Sequence, residues 1–176
     1  MAEIKLVAKT PLEGKELHHA GCLLREIDTQ IMSLAIPLGD DAAFEAEWQN
    51  KMACALPTAR LSSTSGAIRA LRTAPDQLML IGPNLRAISS AYSTDQSGNW
   101  TLLELSGPNT MAALERLCPV DLAASVFPKD AFARTVMEHM GAIVIRTGPD
   151  CFLLMSASSS ARSFWHALET TLRYID

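Results

Sequence analysis

The sequence predicts an α+β fold made of two duplicated halves, each running strand–helix–hairpin–helix, with antiparallel sheets. Two observations carry the prediction. Arg72-Thr73-Ala74-Pro75-Asp76 returns 74 residues later as Arg146-Thr147-Gly148-Pro149-Asp150, with apolar runs on both sides of each copy. Upstream, Leu34-Ala35-Ile36 leading to Gly39-Asp40 matches Leu102 to Leu105 leading to Gly107-Pro108-Asn109, at an offset of 68 residues. The matches keep their order, so a duplicated unit explains them better than chance does. The offset grows by six residues between them, which places an insertion in the loop of the second half. Few strands sit alone between helices, which favours antiparallel sheets over a doubly wound parallel one. The 176 residues read as a single domain, 1–176, with the repeat at about 21–91 and 92–176.

Each element has its own signal. Ile31 to Leu38 alternates in part and reads as the first strand. Asp40 or Asp41 is placed to cap the helix that follows. That helix runs to about Ala55, because Phe44, Trp48 and Met52 recur four residues apart and Pro57 cannot continue it. An apolar run, a Pro75-Asp76 turn and a second apolar run read as a β-hairpin. A polar break and a helical stretch complete the half, and Tyr92 to Ser97 reads as a short linking strand. In the second half Trp100 to Leu105 is the strand and Asn109 the N-cap. Met111, Leu114 and Leu117 form the stripe of a helix that Pro119 closes. A hairpin turning at Pro149-Asp150 follows. The last helix, about Ser159 to Tyr174, is expected to bury Phe164, Trp165, Leu168 and Leu172.

Composition excludes several classes. Apolar residues make up 48% and charged residues 19%, against about 25% charged in an average soluble domain. A disordered chain is excluded, and some apolar surface is expected to face a partner. A net charge of −4 argues against a nucleic-acid face. No stretch approaches the roughly 20 apolar residues of a membrane span, and residues 1–14 hold no apolar core of leader length. A cytoplasmic address is therefore expected. Cys22, Cys54, Cys118 and Cys151 form no CxxC or CxH pair and read as small apolar residues in a reducing compartment.

Motifs that carry chemistry are missing. There is no P-loop, no dinucleotide fingerprint and no nucleophile elbow. His18 and His19, if extended, point to opposite faces, and so do Glu138 and His139 as strand neighbours. His166, beside Trp165, reads as a packing or interface residue. Asp40-Asp41 reads as a helix-terminal pair, not a divalent-ion site. Ser156 to Ser160 reads as a loop with a serine N-cap. Arg134 pairs either with a ligand carboxylate or with an internal acid. Trp48, Trp100 and Trp165 are expected in the core. No catalytic, cofactor-binding or metal residue is assigned.

The second half has a family resemblance. Thr94 to Trp100, Leu102 to Leu105, Ser106-Gly107-Pro108 and Ala113 to Leu117 resemble the γ subunit of heterotetrameric sarcosine oxidase. So do Pro119 to Leu122, Phe127-Pro128, Ala133-Arg134-Thr135, His139-Met140, Asp150 to Phe152 and Ser163 to Leu168. The resemblance is strong over about 92–173 and weaker, though colinear, before it. It rests on the ordered set and not on any one motif. The family is related to the folate-binding T-protein of glycine cleavage, which implies an α+β fold of duplicated, intertwined halves.

One departure bears on function. The T-protein pattern carries a pair of acids on the strand after the glycine-containing turn. Here the matching stretch, His139 to Ile145, has none. Alanine and isoleucine cannot accept a proton. The resemblance thus implies a non-catalytic γ-type subunit with a role in assembly and stability, holding no cofactor itself. FAD, FMN, NAD and tetrahydrofolate are expected on partner subunits, with α, β and δ chains as the partners. The complex would convert sarcosine to glycine, with hydrogen peroxide and one-carbon transfer to tetrahydrofolate. A related N-methyl amino acid dehydrogenase would use a similar small subunit. A stand-alone folate-binding or one-carbon transfer protein is the reading from another class. It requires Asp95 or Asp121 in a deep pocket with Arg134 nearby. A homodimeric scaffold is a third.

Overall fold

A computed structural model describes residues 9–175. Residues 1–8, on which much of the N-terminal reading rests, and Asp176 lie outside the described residues. In chain order the elements are β1 (Glu16–His19), β2 (Cys22–Glu26), β3 (Gln30–Ala35), α1 (Asp41–Met52), β4 (Ser63–Ser65), β5 (Ile68–Ala74), β6 (Gln77–Gly82) and β7 (Tyr92–Asp95). There follow β8 (Trp100–Ser106), α2 (Thr110–Leu117), β9 (Phe132–Met137), β10 (Met140–Gly148), β11 (Cys151–Ala157) and α3 (Ala161–Arg173).

The strands form two antiparallel sheets, in the orders β1-β2-β8-β11-β10-β9 and β4-β5-β6-β3-β7. Without β1 the larger order matches the smaller one reversed: β2-β8-β11-β10-β9 against β7-β3-β6-β5-β4. Each half therefore opens with a strand that pairs in the other half's sheet. β2 lies beside β8, and β7 lies beside β3. The halves are intertwined, as the family resemblance implies.

Side-chain alternation along the strands makes a sandwich. Leu102, Ile143, Ile145 and Met155 of the larger sheet meet Ile31, Leu71, Met79 and Ile81 of the smaller one in a buried layer. The other face of the larger sheet, through Leu103, Leu105, Val144 and Leu154, packs on α2 and α3. The other face of the smaller sheet, through Leu34, Leu78 and Leu80, packs on Phe44, Trp48 and Met52 of α1. These three helix residues lie on one stripe, as their four-residue spacing predicts.

Several details depart from the sequence reading. No helix follows the first hairpin: residues 83–91 are irregular. Pro83 opens them, Asn84 adopts φ +55°, and the Ser89 and Ser90 amides donate to the Glu47 carboxylate instead of to a helical carbonyl. The first strand stops at Ala35, because Pro37 has no N–H for a ladder. Helix α1 stops at Met52, where Ala53 turns left-handed and donates to Gln49 O. Asp40, Asn109 and Ser160 do stand at N-cap positions, but none makes a side-chain capping bond. Their φ/ψ, near −99° and 0–12°, lie outside the extended region from which a cap reaches the first-turn amides. Asn109 donates to Ala20 O instead. Glu138 and His139 are not strand neighbours. They form the two-residue loop between β9 and β10, both with positive φ.

Candidate functional site

The repeated pentapeptide has the same structural task in each half. In the first copy Arg72 donates from Nη1 to Pro75 O and from Nε to Pro57 O, tying the turn to the segment behind α1. In the second, Arg146 donates from Nη1 to Pro149 O and from Nη2 to Leu122 O, behind α2. Thr73 and Thr147 each donate to the carbonyl four residues ahead, Gln77 and Cys151. Both hairpins carry a register shift at that threonine. The motif is thus an anchor for a bulged hairpin. One difference is large: Arg146 is buried, with its Nε unpartnered and its guanidinium 4.5 Å from the Phe152 ring.

The candidate polar residues do not converge. Asp95, at the end of β7, accepts from the Ser97 amide at 2.9 Å and the Ser97 hydroxyl at 2.7 Å. Those bonds lower its pKa. Asp121 accepts from the Ala123 amide at 2.9 Å. It lines an open groove of about 580 Å³, and Arg134 is not among that groove's lining residues. Arg134 is exposed on β9. His139 is exposed in its loop, and His166 is exposed on α3. His18 lies 2.8 Å from Glu16 on the same strand, and His19 is exposed. Asp40 and Asp41 are exposed, and no group of three metal-ligating side chains occurs among the described residues. Ser156 donates to Gly141 O and Ser158 to Gly98 O, so both hydroxyls hold the chain. Trp48 and Trp165 are buried in the two helix-facing cores, and Trp100 is half-buried at the inter-sheet layer.

A cleft of about 490 Å³ sits where the chain crosses between sheets, at Glu26–Ile31 and Ser97–Leu102. Two of its polar side chains are engaged in holding the backbone, and the buried Thr101 hydroxyl has no partner among the described residues. Glu26 accepts from the Thr10 hydroxyl and from the Leu12 and Gly14 amides, and the Ser97 hydroxyl bonds Asp95 and Ile31. The stretch Met140 to Ile145, in which the sequence has no acid, lies on β10. Ala142 to Ile145 are all buried there among apolar neighbours.

Sequence reasoning missed two acids. Glu47 ties residues 83–91 to α1, and Asp130 joins the halves through Arg69 at 2.7 Å. Nothing in the local sequence marks either one, since both partners lie far along the chain.

The comparisons with known proteins follow the fold. A family model described as the sarcosine oxidase, gamma subunit family matches residues 38–172. The chain belongs to the sarcosine oxidase gamma subunit family. The match begins at residue 38, so it takes in most of the first half as well as the region of strong resemblance. A chain of the heterotetrameric sarcosine oxidase from Corynebacterium sp. U-96, solved with pyrrole 2-carboxylate, is similar with a TM-score of 0.81 and 19% identity. The likeness covers 96% of this chain and 96% of that one. Glycine cleavage system aminomethyltransferase T from Bartonella henselae is similar at a TM-score of 0.57 and 16% identity, over 85% of this chain and 46% of that one. No curated protein matches the sequence. At these identities the likenesses show the fold, and both agree with the α+β reading. No helix among the described residues of this gamma-family chain is long and apolar enough to cross a membrane.

Proposed function

We propose that this chain is a non-catalytic γ-type subunit of a heterotetrameric sarcosine oxidase, serving assembly and stability of the complex. The family match over residues 38–172 carries the reading. The end-to-end likeness to one chain of a heterotetrameric enzyme supports it. So does the chemistry of Glu26, Asp95 and Asp121, whose carboxylates are engaged by nearby backbone and hydroxyl groups. Oxidation of sarcosine to glycine, release of hydrogen peroxide and one-carbon transfer to tetrahydrofolate would then take place on the partner α, β and δ subunits. FAD, FMN, NAD and tetrahydrofolate would be held there. A cytoplasmic address fits this role.

The test is purification of the tagged chain from its native cells, with identification of the co-purifying chains and an absorbance spectrum. The expected result is a yellow complex containing larger flavin-bearing subunits and oxidising sarcosine. Oxidation of another N-methyl amino acid in its place would move the assignment to a related dehydrogenase. A colourless, partner-free chain that binds tetrahydrofolate would overturn the proposal.

A further inference from the structure

Edge strands expose unpaired N–H and C=O groups, and folded proteins blunt them with charge, proline or short length. Three of the four edges here are blunted in this way. β4 has three residues, β7 has four, and β1 reads Glu-Leu-His-His with its polar side chains exposed. β9 differs. It is the longest of the four edges, with six residues, Phe-Ala-Arg-Thr-Val-Met, no proline, and Arg134 as its single charged side chain.

The chain itself starts a strand on this edge and then leaves it. Leu61 bridges Ala131 in antiparallel sense, and the Phe132 amide donates outward to Arg60 O. Backbone groups of alternate residues point to the same side, so those of Arg134 and Val136 also point outward, away from β10. Among the described residues they have no strand beside them. The apolar groove of about 580 Å³ opens at the start of this edge, where Leu61 and Val126 are 43% and 48% exposed. Val136, farther along, is 50% exposed. Arg60, Lys129 and Arg134 lie around the groove and along the strand. All three are exposed, and none has a carboxylate within ion-pair distance among the described residues. The exposed Asp121 also lines the groove, so the excess of positive charge lies in Arg60 and Lys129 at the groove and Arg134 farther along the strand.

We propose that β9 receives an extended segment of a larger partner subunit as an added strand. The segment places an apolar side chain in the groove beside Leu61 and Val126, and carboxylates beside Arg60 and Arg134. Strand addition supplies main-chain bonds, and alternate side chains supply the specificity. The inference rests on the subunit reading above and says where that subunit docks.

The experiment uses the purified complex with the wild-type chain, Val136→Pro, Arg134→Glu and the control Arg162→Glu. Proline removes only the outward N–H of Val136 and leaves the β10 ladder intact. Val136→Pro and Arg134→Glu are expected to recover roughly tenfold less large subunit than wild type, the scale of one or two lost charge-assisted or main-chain bonds. Arg162→Glu is expected to match wild type. Thermal unfolding of the isolated full chains should not distinguish Arg134→Glu from wild type, so a folding defect in Val136→Pro would still leave a clean variant. Slowed amide exchange at Arg134 and Val136 in the complex supports the proposal. Full recovery of the large subunit by both variants overturns it and leaves the subunit reading standing. A wild-type homodimer that Val136→Pro dissociates also overturns it, since the occupant is then a second copy. A wild-type chain that recovers no flavin-bearing subunit overturns the subunit reading, and with it this choice of occupant.

Discussion

The two halves share a strand order but cover their sheets differently. The larger sheet is closed on its outer face by α2 and by α3, whose Phe164, Trp165, Leu168 and Leu172 are each 0–1% exposed. At the corresponding place in the first half, after the hairpin, stands the irregular segment 83–91. It brings only Leu85, Ile88 and Ala91 to the sheet, and of these Ile88 alone is fully buried. What it lacks in apolar area it makes up in polar anchoring. The Glu47 carboxylate accepts four bonds, from the amides and hydroxyls of Ser89 and Ser90, and Lys51 pairs with it at 2.7 Å. The hairpin and its arginine anchor are thus the common unit of the repeat. A helix is one way of covering it, and a backbone segment supplied with an acceptor is another.

If that contrast is right, core truncation costs more in the second half. Trp165→Ala leaves a cavity under a rigid helix and is expected to destabilise by about 3–5 kcal/mol. Ile88→Ala removes less area from a segment free to collapse, and about 2 kcal/mol is expected. Urea unfolding of the two variants against wild type measures both. Equal losses would mean that residues 83–91 are packed as rigidly as α3.

The paired arginines sharpen the comparison at a smaller scale. Arg146→Met removes the donor from Leu122 O and Pro149 O at a buried site, and about 2 kcal/mol is expected. The loss is held to that level because the unpartnered Nε goes too. Arg72 is only half-buried, so water can replace it at Pro57 O and Pro75 O, and Arg72→Met is expected to cost about 1 kcal/mol. The same unfolding curves test the order. An Arg72→Met loss as large as that of Arg146→Met would make the anchor, and not its burial, the source of the energy.

Much of this organisation was legible in the sequence, for physical reasons. The hairpins could be read because their turns use proline and aspartate, and α1 and α3 because apolar residues recur on one stripe. The missed strands β1, β2 and β4 lack such signals. β1 is mostly polar, and the β9–β10 loop uses Glu138-His139 where a tight hairpin loop with positive φ favours Asn-Gly. The helix expected after the first hairpin fails for a tertiary reason: Glu47, some forty residues upstream, holds the amides of Ser89 and Ser90. The positive charge along β9 was not legible, because only the Leu61–Ala131 bridge brings the segment of Arg60 to the start of the strand that carries Arg134.

The smallest effect expected is in acid, and it separates the halves by order of release. Glu169 on α3 accepts from Arg173, Trp165 Nε1 and Lys15, and these hold its pKa at about 2 against an ordinary 4.5, the Arg173 bond most of all. Glu47 is held lower still, first by Lys51 and then by Ser89 and Ser90. A carboxyl lowered in the folded state stabilises it fully above the unfolded value and loses that contribution as pH falls through the folded value. Acidification below 4.5 should therefore release the Glu169 contacts first, with the midpoint near pH 2, and the Glu47 contacts should persist to stronger acid. In an NMR titration the Trp165 indole N–H should move before the Ser89 and Ser90 amides do. Glu169→Gln should abolish the first step and leave the second. If the serine amides move first, the polar anchoring of the first half is weaker than the helix it replaces, and the symmetry between the two ways of covering a sheet fails.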